Sequence, residues 1–329
     1  MRIHILDDWF QTLPGLPSFN LLDGHAVTVW TDHISDETVL VERLKDAEAL
    51  VLFRERTTIT RSLLERLPAL RLIAQRGAFP HVDVDACTDH NVLLCSGKGG
   101  DAPNVAAAEL TFTLMLSALR DLPGQMASAK AGLWQSGVGR TAKGLTLGLY
   151  GYGRIARLVA HYARAFGMSV VWWGSAGGCE RARGDGETVA ESRAAFFAES
   201  DVVSLHLRLT PETRGAINAE DLGLMKPDAV LVNTARAGLI APGALKAALD
   251  AGRPGRAAVD VFDREPLTDP TDPLLSHPRL IATPHIGFVT EQEFESQFRE
   301  IYEQIIAYAA GAPINMINPR VWNGGPFDP

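Results

Sequence analysis

The sequence predicts an α/β protein built from two doubly wound parallel-sheet domains. Short apolar runs alternate with amphipathic helical stretches, which is the signature of strands joined by crossover helices. The alternation breaks and restarts once, after Gly144. The chain has 329 residues, enough for two domains of roughly 100–200 residues each. No sequence repeat links the two halves.

In the first series, strands are expected at Ile3–Leu6, Val27–Trp30, Ala49–Phe53, Arg71–Gln75 and Val92–Cys95. Helices are expected at Glu37–Ala47 and Arg61–Leu67. The second series places strands at Thr146–Tyr150, Ser169–Trp173, Val202–His206, Ala229–Asn233, Ala257–Val261 and Arg279–Thr283. Its helices fall at Arg154–Phe166, Ser192–Glu199 and Pro242–Ala251. A Gly-rich joint at Ser96–Asn104 separates the series, with Asp101 as a helix cap and Pro103 in the first turn. The helix that follows, VAAAELTFTLMLSALRD, is apolar on nearly every face and reads as a fully buried core or interface helix. A last helix, Glu291–Ala310, precedes a Pro-, Gly- and Asn-rich tail, Ala312–Pro329, read as irregular.

Composition narrows the function. Apolar residues make up 46% and charged residues 21%, which suits a globular chain with a sizeable core. A net charge of −8 disfavours nucleic acid and anionic membrane as partners. Cys87, Cys95 and Cys179 have neither metal-ligand spacing nor the density of a disulfide framework, so no metal and a cytoplasmic location are expected. No apolar run approaches the roughly 18 residues of a membrane span. Asp7 and Asp8 cut short the only apolar run near the start, unlike a signal peptide.

The strand candidate TLGLY runs into Gly151-Tyr152-Gly153-Arg154-Ile155-Ala156 and then a helical pattern. This is G-x-G-x-x-A in the strand–turn–helix setting of a Rossmann dinucleotide-binding domain. Gly151 permits the tight turn, Gly153 lets backbone N–H groups approach a pyrophosphate, and Ala156 keeps helix and strand close. The next strand ends in Gly174-Ser175 with no acid to repel a 2′-phosphate, so NAD and NADP both remain open. Arg181 and Arg183 either meet such a phosphate or lie in a solvated loop.

Three later segments each follow a strand candidate: Asn233-Thr234-Ala235-Arg236-Ala237-Gly238, Asp260-Val261-Phe262-Asp263-Arg264-Glu265-Pro266, and Thr283-Pro284-His285-Ile286-Gly287. Open α/β sheets bind ligands at that edge. Alone, each is more often a solvated Arg, an exposed Glu or a turn. Together with the glycine loop and SLHLRLTPETRG at Ser204–Gly215, and in this order, they make the chain resemble the D-isomer-specific 2-hydroxyacid dehydrogenases over nearly its whole length. RERT at Arg54–Thr57 and AELT around Glu109 add to the likeness.

The resemblance implies a split architecture. Residues 1–99 and 289–329 would form a flavodoxin-like substrate domain, into which the Rossmann domain, 100–288, is inserted. It implies hydride transfer between NAD or NADP and a small D-2-hydroxy or 2-keto acid. His285 suits the proton transfer, because imidazole titrates near neutral pH. Glu265 would hydrogen-bond and orient the ring and stabilise its cation. Arg236 would hold the substrate carboxylate and carbonyl with its planar donor fork.

By the same carry-over, Arg154 and Ile155 face the pyrophosphate. Gly174, Ser175, His206, Leu207 and Thr213 line the adenosine side. Thr234, Ala235 and Asp260 lie near the nicotinamide, with Asp260 a candidate for its carboxamide, and Gly287 lies beside His285. Arg54, Ala78 and Phe79 would meet the substrate. The loop Gln75–Asp83 matches the family's carboxylate-binding loop, but bulky Phe79 and Pro80, which lacks an N–H, are expected to reshape the pocket. A homodimer is also implied. The alternatives are formate dehydrogenase-type chemistry and a dinucleotide-sensing, corepressor-like protein.

Overall fold

A computed structural model describes residues 1–98 and 105–324. It divides into two compact units, Met1–Asp101 with Thr290–Pro329, and Ala102–Val289. The first begins with β1 (Arg2–Ile5), β2 (Ala26–Val29), α1 (Glu37–Leu44), β3 (Ala49–Val51) and α2 (Arg61–Glu65). It continues with β4 (Leu72–Arg76), α3 (Val84–Asp89) and β5 (Leu93–Gly97). The second unit opens with α4 (Val105–Arg120), α5 (Leu122–Lys130), β6 (Thr146–Tyr150), α6 (Arg154–Ala165) and β7 (Ser169–Trp173). Next come α7 (Ala176–Gly184), α8 (Arg193–Glu199), β8 (Val202–Leu205) and α9 (Ala219–Leu224). It closes with β9 (Val230–Asn233), α10 (Ala244–Asp250), β10 (Arg256–Val259) and β11 (Leu280–Ala282). The chain then returns to the first unit with α11 (Glu291–Ala309).

Both sheets are wholly parallel among the described residues, as the alternation predicts. The first has the order β2-β1-β3-β4-β5, the flavodoxin-like winding. The second has the order β11-β10-β9-β8-β6-β7. Val189 adds a single parallel bridge outside β7, at Trp172. Counting that remnant as a third strand restores the Rossmann order, with the switch point between β6 and β8. The remnant has no apolar run of its own, and sequence patterning does not predict it.

Strands covered on both faces need apolar residues at successive positions. On β6, Leu147 and Leu149 join one core with Ala156, Val159, Ala160 and Ala163 of α6 and with α4. Tyr150 faces the opposite core, with Phe196 and Phe197 of α8 and Leu245 and Leu249 of α10. The first unit has its own core, including Leu40, Leu44, Leu50, Leu63, Ile73 and Leu94.

Some local expectations change. The helix read as a core or interface helix, α4, buries Ala108, Thr111, Phe112, Leu114, Met115, Ala118 and Leu119 within this chain and leaves Val105 45% exposed. The proposed cap Asp101 and first-turn Pro103 lie outside the described residues. Arg181 and Arg183, expected either to meet a 2′-phosphate or to lie in a solvated loop, stand exposed on the helix α7. The tail is partly tied down: Met316 bridges to Cys95, and buried Asn318 accepts from the Leu94 N–H at 2.8 Å. No helix among the described residues is long and apolar enough to cross a membrane.

Candidate active site

Three adjacent strands bring the distant motifs to one level. Val259 of β10 is in register with Asn233 of β9 on one side and with Ala282 of β11 on the other. The next residues in each strand direction are Thr234, Asp260 and Thr283, so all three motif loops leave the sheet at its C-terminal edge together. His285 lies two residues beyond Thr283, at φ +56°. Non-glycine residues rarely adopt this left-handed conformation, and it persists only where surrounding contacts enforce it.

Those contacts are visible. Asp260 is fully buried. Its Oδ1 accepts from Thr283 Oγ1 at 2.6 Å and the Ile286 N–H at 2.8 Å, and Oδ2 accepts from the Gly287 N–H at 2.8 Å. Burial pushes this carboxyl above the usual carboxylate range despite the three donors. A Cβ at Gly287 would come within 3.1 Å of Oδ2, a tight approach that would push on this carboxylate. Asp260, suggested for a nicotinamide carboxamide, thus also ties down the loop that carries His285.

Glu265 completes the dyad. Its Oε2 accepts from His285 Nδ1 at 2.5 Å, and its Oε1 accepts from the Phe262 N–H at 2.9 Å. Burial acts to raise its pKa. The His285 and Phe262 hydrogen bonds, with the charges of His285 and Arg236, outweigh that and hold it below the usual carboxylate range. Engaging Nδ1 fixes the ring and leaves Nε2 as the atom that can exchange a proton with a ligand. Phe288 packs edge-on against the imidazole, with ring centroids 5.5 Å apart.

The exposed Arg236 donates from Nη1 to the Ala235 carbonyl at 2.7 Å. Asn233, 1% exposed, holds its loop: the side chain donates to the Arg236 carbonyl at 3.0 Å and accepts from the Ala235 N–H at 3.1 Å. Thr234 pairs with Thr111 of α4 at 2.6 Å. Neither Asn233 nor Thr111 was singled out from sequence. A buried Asn ending the apolar run VLVN was the available signal for the first.

The glycine loop has the form of a phosphate cradle. Gly151 sits at φ +111°, where a Cβ would come within 2.7 Å of the His206 carbonyl oxygen. Gly174 packs against it, its own Cβ position 3.5 Å from the Gly151 Cα. Gly153 is the N-cap of α6, without side-chain capping, and the space a Cβ would fill there is open. Arg154 begins the helix exposed, and Ile155 is half-buried against the core. An uncapped helix N-terminus beside open space fits a dinucleotide pyrophosphate.

The adenosine-side candidates are more occupied. The Ser175 hydroxyl caps α7 by accepting from the Gly178 N–H at 3.2 Å. The Thr213 hydroxyl donates to the Arg208 carbonyl at 2.6 Å and accepts from the Thr210 N–H at 2.8 Å. His206 meets Ser204 Oγ at 2.9 Å, and burial lowers its pKa to about 4, so it is neutral at physiological pH. Leu207 lies against Gly151.

Arg54, Ala78 and Phe79 belong to the other unit. Arg54 is half-buried at φ +61°. Gly77 and Ala78 are exposed, while Phe79 is half-buried against the core of its own unit. The Phe79 ring thus packs in part on the core of its own unit and anchors its loop there. Among the described residues, no group of three or more His, Cys, Asp or Glu is placed to hold a metal.

Residues 112–287 match the NAD-binding domain of the D-isomer specific 2-hydroxyacid dehydrogenases. The chain is 38% identical over 269 residues to the D-3-phosphoglycerate dehydrogenase of Methanocaldococcus jannaschii, covering 81% of this chain but 50% of that protein. A second D-3-phosphoglycerate dehydrogenase, from Bacillus subtilis, is covered over 55% of its length, so the chain spans about half of these relatives. It is 32% identical to the hydroxypyruvate reductase of Thermotoga maritima, across 92% of this chain and 97% of that one. The crystal structure of a phosphoglycerate oxidoreductase from Vibrio cholerae O395 superposes with a TM-score of 0.89 at 44% identity, covering 94% of this chain and 99% of that one.

Proposed function

The chain belongs to the D-isomer-specific 2-hydroxyacid dehydrogenase family, and on that premise we propose that it interconverts a small D-2-hydroxy acid and its 2-keto acid with a nicotinamide dinucleotide. The observation that carries this is the 2.5 Å His285–Glu265 pair, with the Arg236 charge acting on the same carboxylate. When bound, the dinucleotide supplies or accepts the hydride. His285 Nε2 gives a proton to the developing alkoxide in reduction and takes it from the hydroxyl in oxidation. Glu265 holds the ring and stabilises its cation. Arg236 pairs with the carboxylate and polarises the carbonyl oxygen.

Gly151, Gly153 and Arg154 hold the pyrophosphate, and the unit Ala102–Val289 is the dinucleotide domain. Gly174-Ser175 presents no carboxylate to a 2′-phosphate, so NADH and NADPH are both candidates for the cofactor. Within the unit Met1–Asp101 with Thr290–Pro329, the Ala78 and Phe79 N–H groups are the proposed carboxylate contacts and Arg54 a further substrate contact. The partners are thus small molecules in the cytoplasm, in keeping with a net charge of −8 and three buried, unpaired cysteines.

We also propose a homodimer. No residue of α5 is buried, and Leu122, Met126, Leu133, Trp134 and Val138 are 44%, 57%, 74%, 75% and 101% exposed. A second copy of this chain covers that apolar surface. Light scattering should give twice the chain mass, and Trp134→Asp should yield a monomer. A monomeric wild-type protein would refute the pairing.

The activity is tested by following NADH and NADPH absorbance with glyoxylate, hydroxypyruvate and other 2-keto acids, with formate oxidation as a control. His285→Ala should lose roughly 10²–10⁴ in kcat while keeping its dinucleotide affinity. Near-normal turnover by that variant refutes the proton-transfer role. Tight dinucleotide binding without turnover of any keto acid refutes the enzymatic reading.

A further inference from the structure

Gln75 is the penultimate residue of β4 and is 1% exposed. The preceding strand residues Leu72, Ile73 and Ala74 are all apolar and fully buried. A primary amide at the next position costs free energy unless its hydrogen bonds are made, and an aliphatic side chain would carry no such cost. The bonds it makes go to the loop that follows and to Ser96 of the neighbouring strand. Gln75 Nε2 lies 3.4 Å from the Gly77 carbonyl oxygen, 3.3 Å from that of Ala78 and 3.1 Å from Ser96 Oγ. Ser96, 4% exposed on β5, donates to the same Gly77 carbonyl at 2.8 Å. From behind, Gln304 of α11 donates to the backbone carbonyl of Gln75 at 3.1 Å.

Two consecutive carbonyls are therefore drawn toward buried side chains. In a trans peptide the C=O and the following N–H point in opposite directions. The N–H groups of Ala78 and Phe79 must then face away from Gln75, and among the described residues neither has a hydrogen-bond acceptor. Two neighbouring N–H groups directed outward from an exposed turn make a concavity suited to an anion. Gly77 permits the bend at φ +94°, and half-buried Phe79 pins the far side.

We infer that Gln75 is a positioning residue for carboxylate recognition: through the Gly77 and Ala78 carbonyls it sets the two peptide planes whose N–H groups receive the substrate. The inference rests on the proposed reading of this loop as the carboxylate site. Ser96 supports only the first plane; the second depends on Gln75 alone.

Two variants test this. Gln75→Met keeps volume but cannot donate, and Gln75→Glu puts an acceptor against two carbonyls. For Gln75→Met, KM for glyoxylate should rise about tenfold while kcat stays within about twofold, the mark of lost binding common to ground and transition states. NADH affinity, read by fluorescence titration, should not change. Gln75→Glu should be worse at pH 8 and recover as the pH falls, because only the protonated acid can donate. A crystal structure of Gln75→Met should show the Ala78 carbonyl rotated outward. Unchanged KM, or an equal loss of kcat and dinucleotide affinity, overturns the inference. Should the wild-type protein reduce no keto acid, the proposed activity fails, and the peptide orientation in the Gln75→Met crystal still decides the role of Gln75.

Discussion

Replacing Asp260 by Asn removes one charge and one acceptor from a fully buried site while preserving shape. The wild-type carboxylate receives three donors, from Thr283, Ile286 and Gly287, at 2.6–2.8 Å. An amide oxygen left at the Oδ1 position would keep the Thr283 and Ile286 contacts, but as neutral bonds. The amide nitrogen would then stand at Oδ2, facing the Gly287 N–H, donor against donor. Hydrogen bonds to charged acceptors contribute roughly 1.5–3 kcal/mol and neutral ones about 1 kcal/mol, and relief of the buried charge offsets part of the loss. The expected destabilisation is about 3 kcal/mol, measured as a shift in urea unfolding. The same loop holds His285 in its left-handed conformation, so an ångström of displacement should cost about 10² in kcat. Dinucleotide affinity should change far less, because both carboxylate oxygens are engaged within the protein. Wild-type unfolding together with wild-type kcat would refute the anchoring argument. Dinucleotide affinity falling in step with kcat would return Asp260 to the role of a nicotinamide contact.

The two glycines of the phosphate loop should separate stability from binding. Gly151→Ala places a Cβ 2.7 Å from a backbone oxygen at φ +111°, so thermal unfolding should drop, by about 1–3 kcal/mol of stability, along with dinucleotide affinity. Gly153→Ala meets nothing within 4 Å and should fold normally, yet lose dinucleotide affinity more than tenfold if that space belongs to the pyrophosphate; equal affinity would contradict this. His206 should contribute to acid sensitivity. Its folded pKa, about 4, lies below the ordinary imidazole value of 6.5, so the unfolded chain binds the extra proton between those values and stability falls as pH drops through that window. That lowering corresponds to about 3 kcal/mol, reduced to about 2 kcal/mol because the ring is partly accessible to solvent, and His206→Gln should flatten that limb of urea unfolding against pH. Burial pushes the thiols of Cys87 and Cys95 up to about 12, so native protein at pH 8 should react with a thiol reagent far more slowly at these positions than denatured protein.

Sequence reading succeeds where a short-range pattern forces a backbone outcome. Parallel strands buried on both faces need near-continuous apolar runs, and these marked β6, β8 and β9 directly. The motif carrying Gly151 and Gly153 works because a tight turn and an open helix terminus impose residue identity. The Val189 bridge, a strand reduced to one residue, has no run to detect. Phe79 was legible as bulky, but which way its ring turns depends on the core beneath it. His285 and Glu265 were legible as a pair through the resemblance, whereas the inward aim of Asp260 was not. An acid at a strand end can hold its neighbouring loop whether or not it also meets a ligand, and that holding shows only once Thr283, Ile286 and Gly287 are placed around it.

Gln75, Asn233 and Asp260 then form a common device on two separate sheets. Each stands at or just past the C-terminal end of a strand, and none is more than 1% exposed. Each directs its side-chain polar atoms mainly to the backbone of the loop that follows, or of the loop alongside. Burying an amide or carboxylate is unfavourable unless every bond is made, so apolar residues would hold these strand ends at lower cost. What the polar residue adds is the direction of specific peptide groups, which packing alone leaves free. The three loops so directed are those bearing the outward N–H groups of Ala78 and Phe79, the guanidinium of Arg236 and the imidazole of His285. If the device acts through geometry, conservative polar-to-apolar changes at the three positions should each impair a different function. Gln75 should govern substrate KM; Asn233, carboxylate selectivity through Arg236; and Asp260, kcat. A uniform loss of stability with no such division would mean that the three residues serve only to hold the strand ends.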